Sequence, residues 1–372
     1  MRARRFSIAL LAAVLASGVS AGADERGLER RLEPRHEHKT TIAVFGDWPY
    51  NLNLLNNANL LLDSVNSDPE VSLVMHVGDI HSGSMPCTSA GTLPPIAASN
   101  PGWNQQIFAA FQKFKSPVVY TPGDNEWTDC HKSKESASGK PLQELAAVRS
   151  LFFARPGWTL GLRDMEVYSQ AKYFSPSYPA DAQFAENVIW MDARTVFVTV
   201  NMPGSDNDGL PWSSLEDKTA REAEIAARTD ADIRWLQAAF NLAEREHAAA
   251  VVIGLQADMW DPSALAAGGD GLDRYTGFVR ELANQAVRFR RPVLLINGDS
   301  HLYGSDHPLA DPSSTTGKIH NAAAAANLTR VTVQGSTNAP GEWLRLTIDA
   351  RTPSVFSWKN VAYCVDPLTS CK

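Results

Sequence analysis

The chain has 372 residues, 44% of them hydrophobic and 20% charged, with ten tryptophans among them. That is enough apolar material for a large core, and one large α/β domain is favoured over two small ones. A net charge of −7 and a pI near 5.7 argue against a broad nucleic-acid or anionic-membrane surface and leave a small molecule or a protein as the easier ligand.

Residues 1–21 combine a basic start at Arg2, Arg4 and Arg5, an apolar run too short to span a bilayer, and a small-residue exit at Val19, Ser20 and Ala21. They read as a cleaved secretory signal. No later stretch approaches the roughly 18 apolar residues of a spanning helix. The mature chain is therefore expected to be periplasmic or extracellular, with no transmembrane segment. Residues 22–40 are charged and aperiodic and read as a linker. A first strand then ends at Asp47, followed by a helix over 51–66 with Leu52, Leu55, Leu61, Leu62 and Val65 on its apolar face. A second strand ends at Asp79, and the Gly/Ser/Pro-rich stretch 81–101 is a long loop.

Helices are expected over 103–114 and 141–153, with a strand ending at Asp124 between them. Strands are expected at 172–174 and within 188–200. The polar loop 202–211 holds Asp206 and Asp208, which without a following Glu at calcium-loop spacing form an ordinary turn. An amphipathic helix capped by Asp230 leads into a strand over 249–255, and the strand-helix alternation continues through 272–289 and 293–297. From Val331 to Trp358 the pattern shifts to period-two alternation without helices, interrupted by no internal repeat; Ala322 to Ala326 reads as a linker or helix turn. Four cysteines, Cys87, Cys130, Cys364 and Cys371, make disulfides the default in an exported chain. A Cys-metal site is the weaker alternative, because no Cys-x-x-Cys spacing occurs.

The chemistry lies at the strand ends. Four hydrophobic runs each finish in Gly-Asp: Gly46-Asp47, Gly78-Asp79, Gly123-Asp124 and Gly298-Asp299, the third continuing into Asn125-Glu126 and the last into Ser300-His301. Open α/β sheets build their sites at the carboxyl ends of strands. Any single Gly-Asp is an ordinary turn dipeptide, but four copies after four strands point to convergence. Converging carboxylates stay ionised only around a cation.

In order and strand context these motifs resemble the calcineurin-like metallophosphoesterase superfamily, whose pattern runs Asp-x-His, Gly-Asp-x-x-Asp, Gly-Asn-His-Asp/Glu, a lone His after a strand, and Gly-His-x-His. Gly46-Asp47-Trp48 is also similar to the opening motif of purple acid phosphatases. The resemblance spans about Thr41 to Trp358 and implies an α/β (α+β) fold, a two-sheet β-sandwich flanked by helices over 41–360, leaving 361–372 as a disulfide-bearing tail. It also implies a dinuclear site, with Asp47 as a first-metal ligand, Asp79 as the bridging carboxylate, and Asp124, Asp299 and His301 completing the set. Gln256 falls nearest the lone-histidine position, with Asp258 as a fallback.

Three departures follow from that alignment. Pro49 stands at the Asp-x-His histidine, with Tyr50 a substitute donor; Gln256 is no histidine; and Asn125 replaces the histidine expected to protonate the leaving group. The donor set moves from nitrogen toward oxygen, which favours Mn²⁺ or Mg²⁺ and leaves Ca²⁺, Zn²⁺ and Fe open. His81, two residues after Asp79, is the surviving candidate general acid, with His131 in reserve, whereas His76 inside a strand reads as a core histidine. If the loops after Asp79 and Asp124 meet at one site, Cys87–Cys130 and Cys364–Cys371 are the favoured pairs. The expected function is an exported metal-dependent hydrolase acting on a small-molecule or protein phosphoester. The alternative is a catalytically impaired relative serving as a metal-stabilised binding protein.

Overall fold

A computed structural model describes residues 35–87, 102–133, 140–212 and 217–371. The secretory signal, most of the linker and most of the 81–101 loop lie outside the described residues. In chain order the strands are β1 (Lys39–Phe45), β2 (Val71–Val77), β3 (Val118–Thr121), β4 (Tyr168–Ser169), β5 (Val188–Asp192), β6 (Thr195–Thr199), β7 (Ala250–Gly254), β8 (Val293–Asn297), β9 (Gly304–Asp306), β10 (Leu328–Thr332), β11 (Gly341–Asp349) and β12 (Phe356–Cys364). They form two sheets, ordered β12-β11-β1-β2-β3 and β4-β5-β6-β7-β8-β10-β9. Within them β1, β2 and β3 run parallel, as do β6, β7, β8 and β10.

Parallel strands covered on both faces read as unbroken apolar runs, and side-chain alternation sends each run to two different cores. Ile42 and Val44 of β1 face a core between the sheets, shared with Phe197, Val252 and Leu294 of the second sheet. Ala43 and Phe45 face the other way, onto Leu61, Ile107 and Phe111 from helices. Val251 and Ile253 of β7 likewise face Trp235, Phe240, Phe278 and Leu282. The result is four layers, helix on sheet on sheet on helix, and a mixed α/β class as expected.

Several element expectations need correction. The 51–66 helix is two, Leu52–Asn56 and Ala58–Ser67, with Asn51 capping the first by accepting from the Leu54 N–H at 2.9 Å. The helix placed at Asp230 begins at Lys218 and is capped by Asp217, so Asp230 sits inside it. Its early buried face includes Arg221 and Arg228 beside Ile225, residues that a hydropathy pattern counts as solvent-facing. The strand expected at 172–174 is the short helix Gln170–Tyr173. In the β-only tail, β10 leaves to pair with β8 in the second sheet, while β11 and β12 complete the first. Strand β12 reaches Cys364, past the boundary expected at 360, so the tail is the end of a strand plus a small disulfide-closed turn.

His76 is the core histidine expected. Its Nε2 lies 3.1 Å from the Trp48 carbonyl, and its ring packs against Phe45, Phe111 and Tyr120. Burial pushes its pKa down from 6.5 to about 4, so the folded state holds it neutral while the unfolded chain protonates it. Its contribution to stability is therefore full above pH 6.5 and is lost as the pH falls toward 4, on the order of 3 kcal/mol in all. Chemical denaturation of wild type and His76→Gln should show the wild-type advantage shrinking by roughly that amount between pH 7 and pH 4; a pH-independent difference would contradict a buried neutral imidazole.

Candidate metal centre

Strands β1, β2 and β3 of one sheet and β8 of the other end at the same edge, and their Gly-Asp turns close on one another. The backbone pairing of β1 with β2 continues into the turns, with Asp47 N donating to the Gly78 carbonyl and Trp48 N to the Asp79 carbonyl, both at 2.9 Å. Asp47, Asp79 and Asp299 then turn left-handed, at φ 49°, 61° and 72°, a region aspartate enters more easily than most residues. Gly123 must be glycine for this approach: a Cβ there would lie 2.1 Å from Asp79 Oδ1.

Asp47, Asp79 and His301 each offer a ligand atom within 4.8 Å of the others, and His301 Nε2 lies 3.4 Å from Asp47 Oδ1. Asp47 Oδ2 is buried with no hydrogen-bond partner, which suits a cation ligand better than a structural carboxylate. The Tyr50 hydroxyl sits among them. It donates to Asp79 Oδ2 at 2.6 Å and lies 3.2 Å from Asp47 Oδ1 and 3.1 Å from His301 Nε2. Asn125 Nδ2 donates to Asp79 Oδ2 at 2.7 Å and to the Tyr50 oxygen at 3.1 Å.

Asp124 and Asp299 adjoin this group on the side of residues 204 and 205. Gln256, expected as a ligand, is a positioning residue instead: its amide oxygen accepts from Gly204 N, and its Nε2 faces Asp124 Oδ1 at 3.3 Å. Asp258, the fallback, is also turned away, its carboxylate held by Arg330, by Ser300 Oγ at 2.8 Å and by Trp260 N at 3.0 Å. Only its main-chain N–H reaches inward, donating to Asp299 Oδ2 at 2.9 Å.

Burial, and then the Asp124, Glu126 and Asp47 charges, holds the Asp79 carboxyl well above the usual carboxylate range. Asp299 is pushed up by burial and then by Asp124. Asp124 is raised by burial and by Asp129, against the opposing pull of Lys132 and Ser205. Glu126 was part of the motif yet outside the expected ligand set; burial carries it to about 7. Its Oε1 accepts from Tyr120 OH, Gly123 N and Asp79 N at 2.6, 2.7 and 3.2 Å, so it holds two of the turns together. These carboxylates can all ionise together only with a positive charge among them, and the donors present fit a hard divalent ion.

His81 does not stand at the site mouth. It is fully buried, its Nδ1 3.1 Å from the Ser82 carbonyl, and burial lowers its pKa to about 4. It carries no proton for a leaving group at neutral pH. His131 is also buried, in the turn Thr128–His131. Sequence reasoning missed Ser205 and Lys132, which belong to no motif. Ser205 Oγ lies 2.8 Å from both Asp124 Oδ2 and Asp129 Oδ1, and Lys132 Nζ bonds Asp129 and, at 2.8 Å, Ser205 Oγ. Residues 205–208 form a left-handed turn with φ between 54° and 66°, in which Asp208 accepts from Trp212 and Asp206 faces Arg274, not a calcium loop.

Both expected disulfides, Cys87–Cys130 and Cys364–Cys371, are present. No helix among the described residues is long and apolar enough to cross a membrane. No family model matches the chain, and no curated protein matches it. Among solved structures it is similar to GAP50, the anchor in the inner membrane complex of Plasmodium, at 9% identity over 89% of this chain and 90% of that chain, with a TM-score of 0.42.

The Cys87–Cys130 bridge closes a separation of 43 residues and ties the segment after β2 to the turn after Asp124. Loop-closure entropy values such a bridge at about 3–4 kcal/mol. Cys87→Ser/Cys130→Ser should lose about that much in denaturant titration, with equal stability as the contrary result.

Proposed function

We propose that this chain is an exported, divalent-metal-dependent phosphoester hydrolase with a metallophosphoesterase-like arrangement of its two sheets. The observation that carries the reading is the meeting of Asp47, Asp79 and His301 beside an Asp47 oxygen that is buried and has no partner, with Asp124 and Asp299 adjoining on the residue-204 side. Asp47, Asp79 and His301 would hold the ion, with the Tyr50 hydroxyl as a further oxygen donor, and Mn²⁺ or Mg²⁺ is favoured by the oxygen-rich set. Two disulfides suit an oxidising, exported setting. A bound divalent ion supplies charge for a phosphoryl oxygen and acidifies water without a basic side chain.

The chain's own residues then divide the remaining work. Asn125 commits both amide hydrogens to Asp79 and the Tyr50 oxygen, so it orients those two groups and has no proton to give a leaving group. With His81 neutral and buried, leaving-group protonation falls to solvent. General acid catalysis is typically worth 10²–10⁴-fold. Activated aryl phosphoesters should therefore be cleaved much faster than alkyl ones, by a factor approaching that range; equal rates under chemistry-limited conditions would mean that an acid has been overlooked.

A second reading, a metal-stabilised binding protein, is favoured by the Tyr50 phenol packed against three of the donor groups. Turnover of an aryl phosphate by Mn²⁺-loaded protein separates the two. Asp79→Asn should sharply reduce metal content by elemental analysis and abolish any turnover, with the circular dichroism spectrum retained. Metal content equal to wild type in that variant would remove Asp79 from the site.

A further inference from the structure

We propose that the centre takes one divalent ion per chain, at Asp47, Asp79 and His301, and that the Lys132 ammonium, acting through Ser205, supplies the positive charge on the Asp124 side. The inference rests on the metal-centre reading and deepens it, because the resemblance implies two ions. Four features of the Asp124 side carry it. A Cβ placed on Gly204 would stand 2.8 Å from both Asp124 Oδ2 and Asp299 Oδ1, so backbone lies directly over the gap between the two carboxylates. Ser205 Oγ, 2.8 Å from Asp124 Oδ2, occupies the same side and receives a hydrogen bond from Lys132. Gln256 turns its amide nitrogen, not its oxygen, toward Asp124. Finally, Asp79, the carboxylate expected to bridge, spends Oδ1 on Asn125 N at 3.2 Å and lies against Gly123 there, leaving Oδ2 for the Tyr50 side.

Charge gives the same division. Lys132, four-fifths buried, contacts Asp129 directly and reaches Asp124 through Ser205 Oγ, so a positive charge already stands on this side. The Asp47 oxygen on the other side has no such partner. One half of the centre thus already holds a positive side chain, and the other has none against its unpartnered Asp47 oxygen.

The test is stoichiometry. Metal-stripped full-length protein, titrated with Mn²⁺ and followed by calorimetry, elemental analysis and electron paramagnetic resonance, should take up one equivalent with the spectrum of an isolated ion. Asp47→Asn should lose it. Lys132→Ala, which removes the ammonium held by Asp129 and Ser205, should gain a second, weaker equivalent at raised Mn²⁺. Two equivalents with an exchange-coupled spectrum in wild type would overturn this inference and leave the hydrolase reading standing, whereas no bound ion would overturn both. A Lys132→Ala protein that stays at one equivalent would refute the role given to the lysine.

Discussion

Crowding of carboxylates away from water is the constraint on which the rest of this molecule depends. Asp47, Asp79, Asp124, Glu126 and Asp129 are all nearly inaccessible, and Asp299 lies beside them. Each would be costly alone, because a carboxylate in a low-dielectric site either finds a partner or takes up a proton. The surrounding structure consists largely of partners. Main-chain N–H groups of residues 79, 123, 125, 258 and 299 point at carboxylate oxygens, helped at 79 and 299 by left-handed backbone and at 123–125 by Gly123. Backbone donors fixed in this way cannot turn away when the charge changes, which is what a site for a charged ligand needs.

The layers explain why the turns meet. A four-layer fold in which β1, β2 and β3 run parallel in one sheet and β6, β7, β8 and β10 in the other places many strand ends on one edge, and the inter-sheet core of Ile42, Val44, Met75, Phe197, Val252 and Leu294 keeps those edges together. The Cys87–Cys130 bridge adds a covalent tie next to the aspartate-bearing turns rather than in the core. Hydrophobic packing therefore sets where the charges go, and their mutual repulsion is balanced locally. Packing and the balance of charge are coupled through the same atoms.

Much of this was legible in the sequence because it was written in local patterns. Gly46-Asp47, Gly78-Asp79, Gly123-Asp124 and Gly298-Asp299 each follow an apolar run, and a strand ending in a tight turn leaves that signature irrespective of the rest of the fold. Both cysteine pairs followed once the turns were assumed to meet. What could not be read depends on contacts between distant segments. Ser205 and Lys132 acquire their meaning only beside Asp124, 81 and 8 residues away along the chain. His81 looked accessible because it follows Asp79 in a polar stretch; its complete burial is a tertiary fact. Arg221 and Arg228 hid the first turns of their helix because buried arginines read as surface.

The two residues at which the sequence differs most from the pattern it resembles, Tyr50 and Asn125, are not independent in the structure. Tyr50, next to the proline that stands for one histidine, and Asn125, which stands for another, are 3.1 Å apart and both bond Asp79 Oδ2. Asn125 donates to the phenol oxygen, freeing the phenol proton for Asp79, so each residue makes the other's geometry useful. An imidazole at either position would bring a titratable proton to this place; a phenol and an amide bring donors whose protons stay put across the physiological range, the more so because burial raises the Tyr50 pKa further. The pair exchanges proton transfer for fixed orientation, and that exchange has to be read in space, since 75 residues separate its members.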